Sequence, residues 1–148
     1  MTNTGKSPRR LLHSAGALLL GFVVVAALSI GTDQLMHLLG LFPPLGQPVQ
    51  GSDLLLLAFT YRSIYVIFGS YLVARVAPYA PMQHALVSGL IGLILSTAGA
   101  ITQWHLGSHW YPIAIMLTAL PYAWLGGVLH RKWHGQNANP AVHTDATR

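Results

Sequence analysis

The chain has 148 residues, no cysteine and a formal charge of +5, yet only 7% of its residues are charged, against about 25% in a typical soluble domain. Its three acids, Asp33, Asp53 and Asp145, are too few to keep a soluble fold of this size in solution. The missing cysteines exclude disulfides, thiolate metal sites and a cysteine nucleophile. Nor does the basic balance point to nucleic acid. Lys6, Arg9, Arg10, Arg131 and Lys132 flank apolar runs, where they meet anionic lipid head groups.

In chain order, residues 1–10 form a basic N-terminus. The first apolar run spans about 11–32. It is longer than a signal-peptide core and three more runs follow, so it reads as a retained helix. The pattern continues through Asp33 and His37 to Leu39, where Gly40 and Pro43 break it. The second span covers about 54–76, with Ser52 or Asp53 as its N-cap and Pro78 just past its end. The third covers 82–102, with Pro81 suited to its first turn. The fourth covers 111–130 and contains Pro121. Each run is long enough to cross a hydrocarbon core of about 30 Å. Together they predict an all-α, four-helix transmembrane bundle over residues 11–133. Residues 134–148 have no apolar face and read as a disordered cytoplasmic tail.

The Lys/Arg distribution sets the expected orientation. The N-terminal segment, the connection after Arg75 and the C-terminal flank carry basic residues, whereas the 33–53 and 103–110 connections carry neither Lys nor Arg. Both termini should therefore be cytoplasmic, with the two connections lacking Lys and Arg outside. The Phe42–Pro48 segment is rigid and apolar, and should lie on the interface or fold back over the bundle. Small residues recur every four positions at Ser88, Gly92, Ser96 and Ala100, and again at Ala119, Ala123 and Gly127. This spacing lets helix backbones approach closely where lipid gives no hydrophobic drive, and predicts a tight contact between the third and fourth helices.

Arg62 is the outlier. It lies about nine residues into the second span, on the order of 13 Å deep. A charge at that depth costs roughly 2.5–3.5 kcal/mol and needs a partner inside the bundle. Asp33 is the natural counter-charge, and His37 follows one turn later on the same face. Asp33, His37 and Arg62, with Tyr61 and Tyr65, form the candidate polar pocket in the outer half of the bundle. The ion pair is expected to be direct or bridged by Tyr61, Tyr65, His37 or water. His37, His105 and His109, with Asp33, are the weaker candidates for a metal site, a carboxylate and imidazole set suited to zinc, copper or nickel. No nucleophile sits in a glycine-flanked elbow, and no catalytic residue or cofactor is assigned.

Gly31-Thr32-Asp33-Gln34-Leu35-Met36-His37, Phe42-Pro43-Pro44, Tyr61-Arg62 and Gly69-Ser70-Tyr71-Leu72-Val73-Ala74-Arg75 together resemble a group of uncharacterised small bacterial four-span membrane proteins. The likeness covers about residues 15–132. It implies a bacterial inner-membrane setting and no activity. The leading functional expectation is a non-enzymatic membrane protein, a small binding or transport-related component or an accessory subunit. It would sit among membrane lipid and act as a homo-oligomer or within a larger complex. The alternative is a membrane enzyme or redox component acting on a lipid-soluble substrate. A cavity of about 300 Å³ or more at Asp33, His37 and Arg62 would separate a ligand site from a merely structural pair.

Overall fold

The computed structural model describes residues 8–44, 47–49, 51–105 and 108–135. It contains four helices, α1 (Pro8–Leu38), α2 (Ser52–Val76), α3 (Pro81–Gln103) and α4 (Trp110–Gly135), and the described residues include no strand. All four are long and apolar enough to cross a membrane, so the chain is a multi-pass helical bundle. Leucine, isoleucine and phenylalanine cover the outward faces, the inverse of a soluble fold and the arrangement lipid favours.

The helices overrun the expected spans for local reasons. α1 continues six residues past 32 and stops at Gly40 (φ +70°). There the Gly40 N–H donates to the His37 carbonyl (3.1 Å), and the Leu41 N–H donates to the Met36 carbonyl (3.0 Å). This paired closure needs a left-handed residue, which glycine supplies without strain. α2 is capped by Gly51, not by Ser52 or Asp53, and no side chain bonds the cap. Gly51 adopts φ +109°, and a Cβ there would meet Asp53 Oδ1 at 2.7 Å. Asp53 instead occupies the first turn, where its charge complements the helix dipole. Pro81 does open α3. α4 runs on to Gly135, so residues 134 and 135 are helical, and 136–148 lie outside the described residues. Pro8 to Arg10 likewise belong to α1, while residues 1–7 are outside the description.

Three close crossings hold the bundle. Gly21 of α1 and Gly69 of α2 face each other, so that a Cβ on either would lie 3.1–3.2 Å from the other's carbonyl oxygen. Gly126 of α4 lies against α2, where a Cβ would meet Ile67 O at 2.6 Å and Tyr71 N at 2.7 Å. The third crossing joins α3 to α4, as the sequence led one to expect, but only half of the expected seam takes part. Ala119, Ala123 and Gly127 on α4 do face α3. Their partners are Met82, Ala85 and Gly89, with 2.5 Å between the Ala123 Cβ and a Cβ placed on Gly89. Gly92 has nothing within 4 Å. The stripe Ser88, Gly92, Ser96 and Ala100 lines cavities inside the bundle. Small residues allow close approach, but a backbone must be there to approach.

α1 packs along α2, touches α3 over a short stretch and does not reach α4. Its side-chain link to α3 lies near the basic end, where Ser14 Oγ and His84 Nε2 are 2.9 Å apart. Substituting Gly126 by alanine should force α2 and α4 apart and cost about 1–3 kcal/mol. Gly31→Ala, with open space around it, should be neutral or slightly stabilising. Thermal unfolding in nanodiscs compares the two, and equal effects would remove the crossing from the account.

Candidate functional site

The ends of α1 and α3 and the starts of α2 and α4 meet at the end of the bundle that carries the 39–51 and 104–109 connections. Inside that end, five residues before the last of α1 and ten after the first of α2, Arg62 Nη2 donates to Asp33 Oδ2 at 2.5 Å. The Tyr61 hydroxyl donates to Asp33 Oδ1. Both carboxylate oxygens are therefore engaged, from two adjacent residues of α2. The expected pairing is direct. Tyr65 does not join it, but shares a hydrogen bond with Thr32 Oγ1 (2.8 Å) one residue before Asp33, and its ring lies 5.8 Å from that of Tyr61. This second link fixes the register of α1 against α2.

Tyr111, in the first turn of α4, lines the same cavity as Asp33 and Arg62. Nothing in its local sequence pointed to the site, because an aromatic residue at a span end reads as an interface anchor. Phe42 belongs to the segment expected to lie on the interface or fold back over the bundle, though it was not assigned to the site. Its ring is buried against Ala58 and Tyr61 and edge-on to His37 at 5.6 Å, so the 41–44 segment folds back over the bundle. The remainder of Phe42–Pro48 is described at residues 47 and 48; residues 45 and 46 are not.

Two cavities meet at this ion pair. The outer one, a vestibule of about 580 Å³, is lined by Asp33, His37, Arg62, Trp104, His109 and Tyr111 together with apolar residues. The inner one, about 330 Å³, runs toward the basic end between α1 and the other three helices. Asp33, Arg62, Ser96 and Ile115 line both, so the pair forms the partition between them. Its side chains are 36% (Arg62) and 26% (Asp33) exposed, an exposure directed into these spaces. Arg62 Nε and His37 Nδ1 are buried with no hydrogen-bond partner among the described residues. Guanidinium carries five N–H donors, so the pair leaves donor capacity unused while the carboxylate is filled.

The metal candidates do not assemble. Among the described residues no three His, Asp or Glu side chains come close enough to hold an ion. His37 and His109 both line the vestibule, but His109 packs against Trp104, with ring centroids 4.4 Å apart and planes tilted by 42°, and His105 is exposed and lines neither cavity. Comparison with protein-family models, characterised proteins and solved structures finds no match to this chain.

Asp33→Asn and Arg62→Gln should each destabilise the protein by about 1–3 kcal/mol. This is less than the 3–5 kcal/mol of a fully buried pair, because cavity water screens it. The double variant should lose less than the sum of the singles. Chemical or thermal unfolding of the four proteins reads this, and strict additivity would show the two groups to be uncoupled. Tyr61→Phe, which frees one oxygen of Asp33, should cost about 1 kcal/mol.

Proposed function

We propose that the protein is a small binding component of a bacterial inner membrane. Its site is the vestibule over Asp33 and Arg62, and its ligand is a molecule that brings hydrogen-bond acceptors to the free edge of the guanidinium. The observation that carries the reading is a cavity of about 580 Å³ ending on an arginine whose side chain is 36% exposed and which gives Asp33 only Nη2 of its five N–H donors. A structural ion pair needs no such space. Ligand sites of this kind are largely apolar cavities with a few convergent polar groups. Here those groups are Arg62, Tyr111, His37, His109, Gln47 and Ser108, with one cation that can only donate and a single acid already engaged twice.

Both termini lie in the cytoplasm in this reading. Its support is the gathering of Arg9, Arg10, Arg75, Arg131 and Lys132 at one end of the bundle, the signature of a cytoplasmic face. The vestibule then opens outward. Self-association belongs to the same proposal. Leu12, Leu19, Val23 and Ile30 form one exposed apolar face on α1, open to lipid or to a second copy of the chain.

The test is to purify the wild type and Gly99→Leu from native membranes into nanodiscs and to compare the small molecules each retains by mass spectrometry. Gly99 lines the vestibule and has nothing within 4 Å of an added Cβ, so leucine there fills the space without a clash. A compound retained by the wild type and missing from Gly99→Leu and Arg62→Gln is the expected result. Identical profiles for all three proteins would end the proposal. Reporter fusions after residues 47, 79 and 107 check the orientation, and an outside signal at 79 would reverse it.

A further inference from the structure

The inner cavity asks for an occupant of its own. From Arg62 to Val73 it extends along about three turns of α2, roughly 16 Å, and its volume is about 330 Å³. That is the length of one lipid leaflet's hydrocarbon, half of about 30 Å. Its walls include Val25, Phe59, Val66 and Val73. Five serines also line it, Ser29, Ser63, Ser70, Ser88 and Ser96, and three of them present little polarity. Ser63 Oγ donates to Phe59 O (2.6 Å), Ser88 Oγ to Ala85 O (2.7 Å) and Ser96 Oγ to Leu93 O (3.0 Å). Hydroxyls tied back to their own helix leave an apolar surface. Because α1 does not reach α4, the cavity opens on one side toward lipid.

Only the polar end of this cavity is charged. There Arg62, whose Nη2 is taken by Asp33, lines both spaces with donors to spare. An arginine edge matches a carboxylate in two-point geometry. Arg62 lies about 15 Å into α2, near the middle of the bilayer, where a monoanion is far less costly than a dianion. We infer that the ligand is a long-chain carboxylic acid. Its carboxylate sits on the Arg62 edge that Asp33 leaves free, and its chain fills the inner cavity down to Val73. The inference rests on the vestibule reading for its head and adds the tail.

The chain length and the head can be tested separately in nanodiscs by titrating hexanoate, laurate, dodecanol and dodecyl phosphate. Dodecanol partitions into the bilayer much as laurate does but lacks the charge. Wild type should prefer laurate to dodecanol by roughly tenfold, the weight of a hydrogen bond to a charged group. It should prefer laurate to hexanoate by roughly tenfold or more, through burial of the added methylenes. Gly92 lines the inner cavity and meets nothing within 4 Å, so Gly92→Leu fills the cavity and should fold as the wild type does, as its thermal midpoint will report. It should bind laurate no better than hexanoate.

If Gly92→Leu keeps the wild-type preference for laurate, the chain is not in this cavity and the inference fails, while the vestibule reading survives through hexanoate. If neither acid binds the wild type, the inference fails, and the vestibule reading stands or falls on the retained-molecule comparison alone. Tighter binding of dodecyl phosphate than of laurate overturns the carboxylate assignment.

Discussion

An arginine at mid-membrane depth must be neutralised, and the loop end of this bundle is arranged around that requirement. Arg62 lies about 15 Å along α2, where insertion costs roughly 2.5–3.5 kcal/mol. Asp33 can meet it only if α1 stays helical beyond the apolar run that ends near Thr32. α1 does so, and closes at Gly40 with the paired backbone bonds of a glycine-terminated helix. That closure turns the chain back at once, which places Phe42 on Tyr61 and Ala58. Tyr61 in turn holds the second oxygen of Asp33. Charge, helix length, turn and lid residue are thus consequences of one another.

Toward the basic end a different constraint acts. In lipid, apolar side chains gain nothing by leaving the solvent, so helices are drawn together where small residues admit close backbone contact. Gly21 with Gly69, Gly126 with α2, and Gly89 and Gly127 with α4 and α3 supply those contacts. No such pair joins α1 to α4. A gap left there in water would be costly. In a bilayer it can be filled by a hydrocarbon chain that is present in excess, so the inner cavity carries little penalty and nothing in the packing acts to close it.

The number and approximate positions of the helices were legible because a bilayer demands long apolar runs, and the ion pair was legible because acids are so scarce. With three in the chain, only Asp33 stood at the right depth. What could not be read is anything that depends on which neighbour a face meets. Ser88, Gly92, Ser96 and Ala100 share one face of α3, and the spacing that favours contact also favours empty space. Gly89, one position away, carries the real contact. The N-cap of α2 fell to Gly51 because the chain arrives with a positive φ, which Ser52 and Asp53 would resist. Tyr111 and Phe42 enter the site only through tertiary placement, since their local sequence marks them as interface residues. The four-residue metal set failed for a similar reason: His105 and His109 lie in a connection whose path no pattern in the sequence fixes.

The manner in which Asp33 is held also bears on what the site can do. A path through the bundle would run from the vestibule past the ion pair into the inner cavity, because Asp33 and Arg62 line both. Opening it would require Asp33 to release Arg62 and Tyr61 together. Separating such a pair leaves a charge uncompensated at low dielectric, at a cost of several kcal/mol. An acid that binds the free edge of the guanidinium asks for none of this. Asp33 stays on Tyr61 and Nη2, and the arginine gains a second acceptor. The proposed receptor for an amphiphile therefore needs no gated passage, and the pair stays in place between the two compartments.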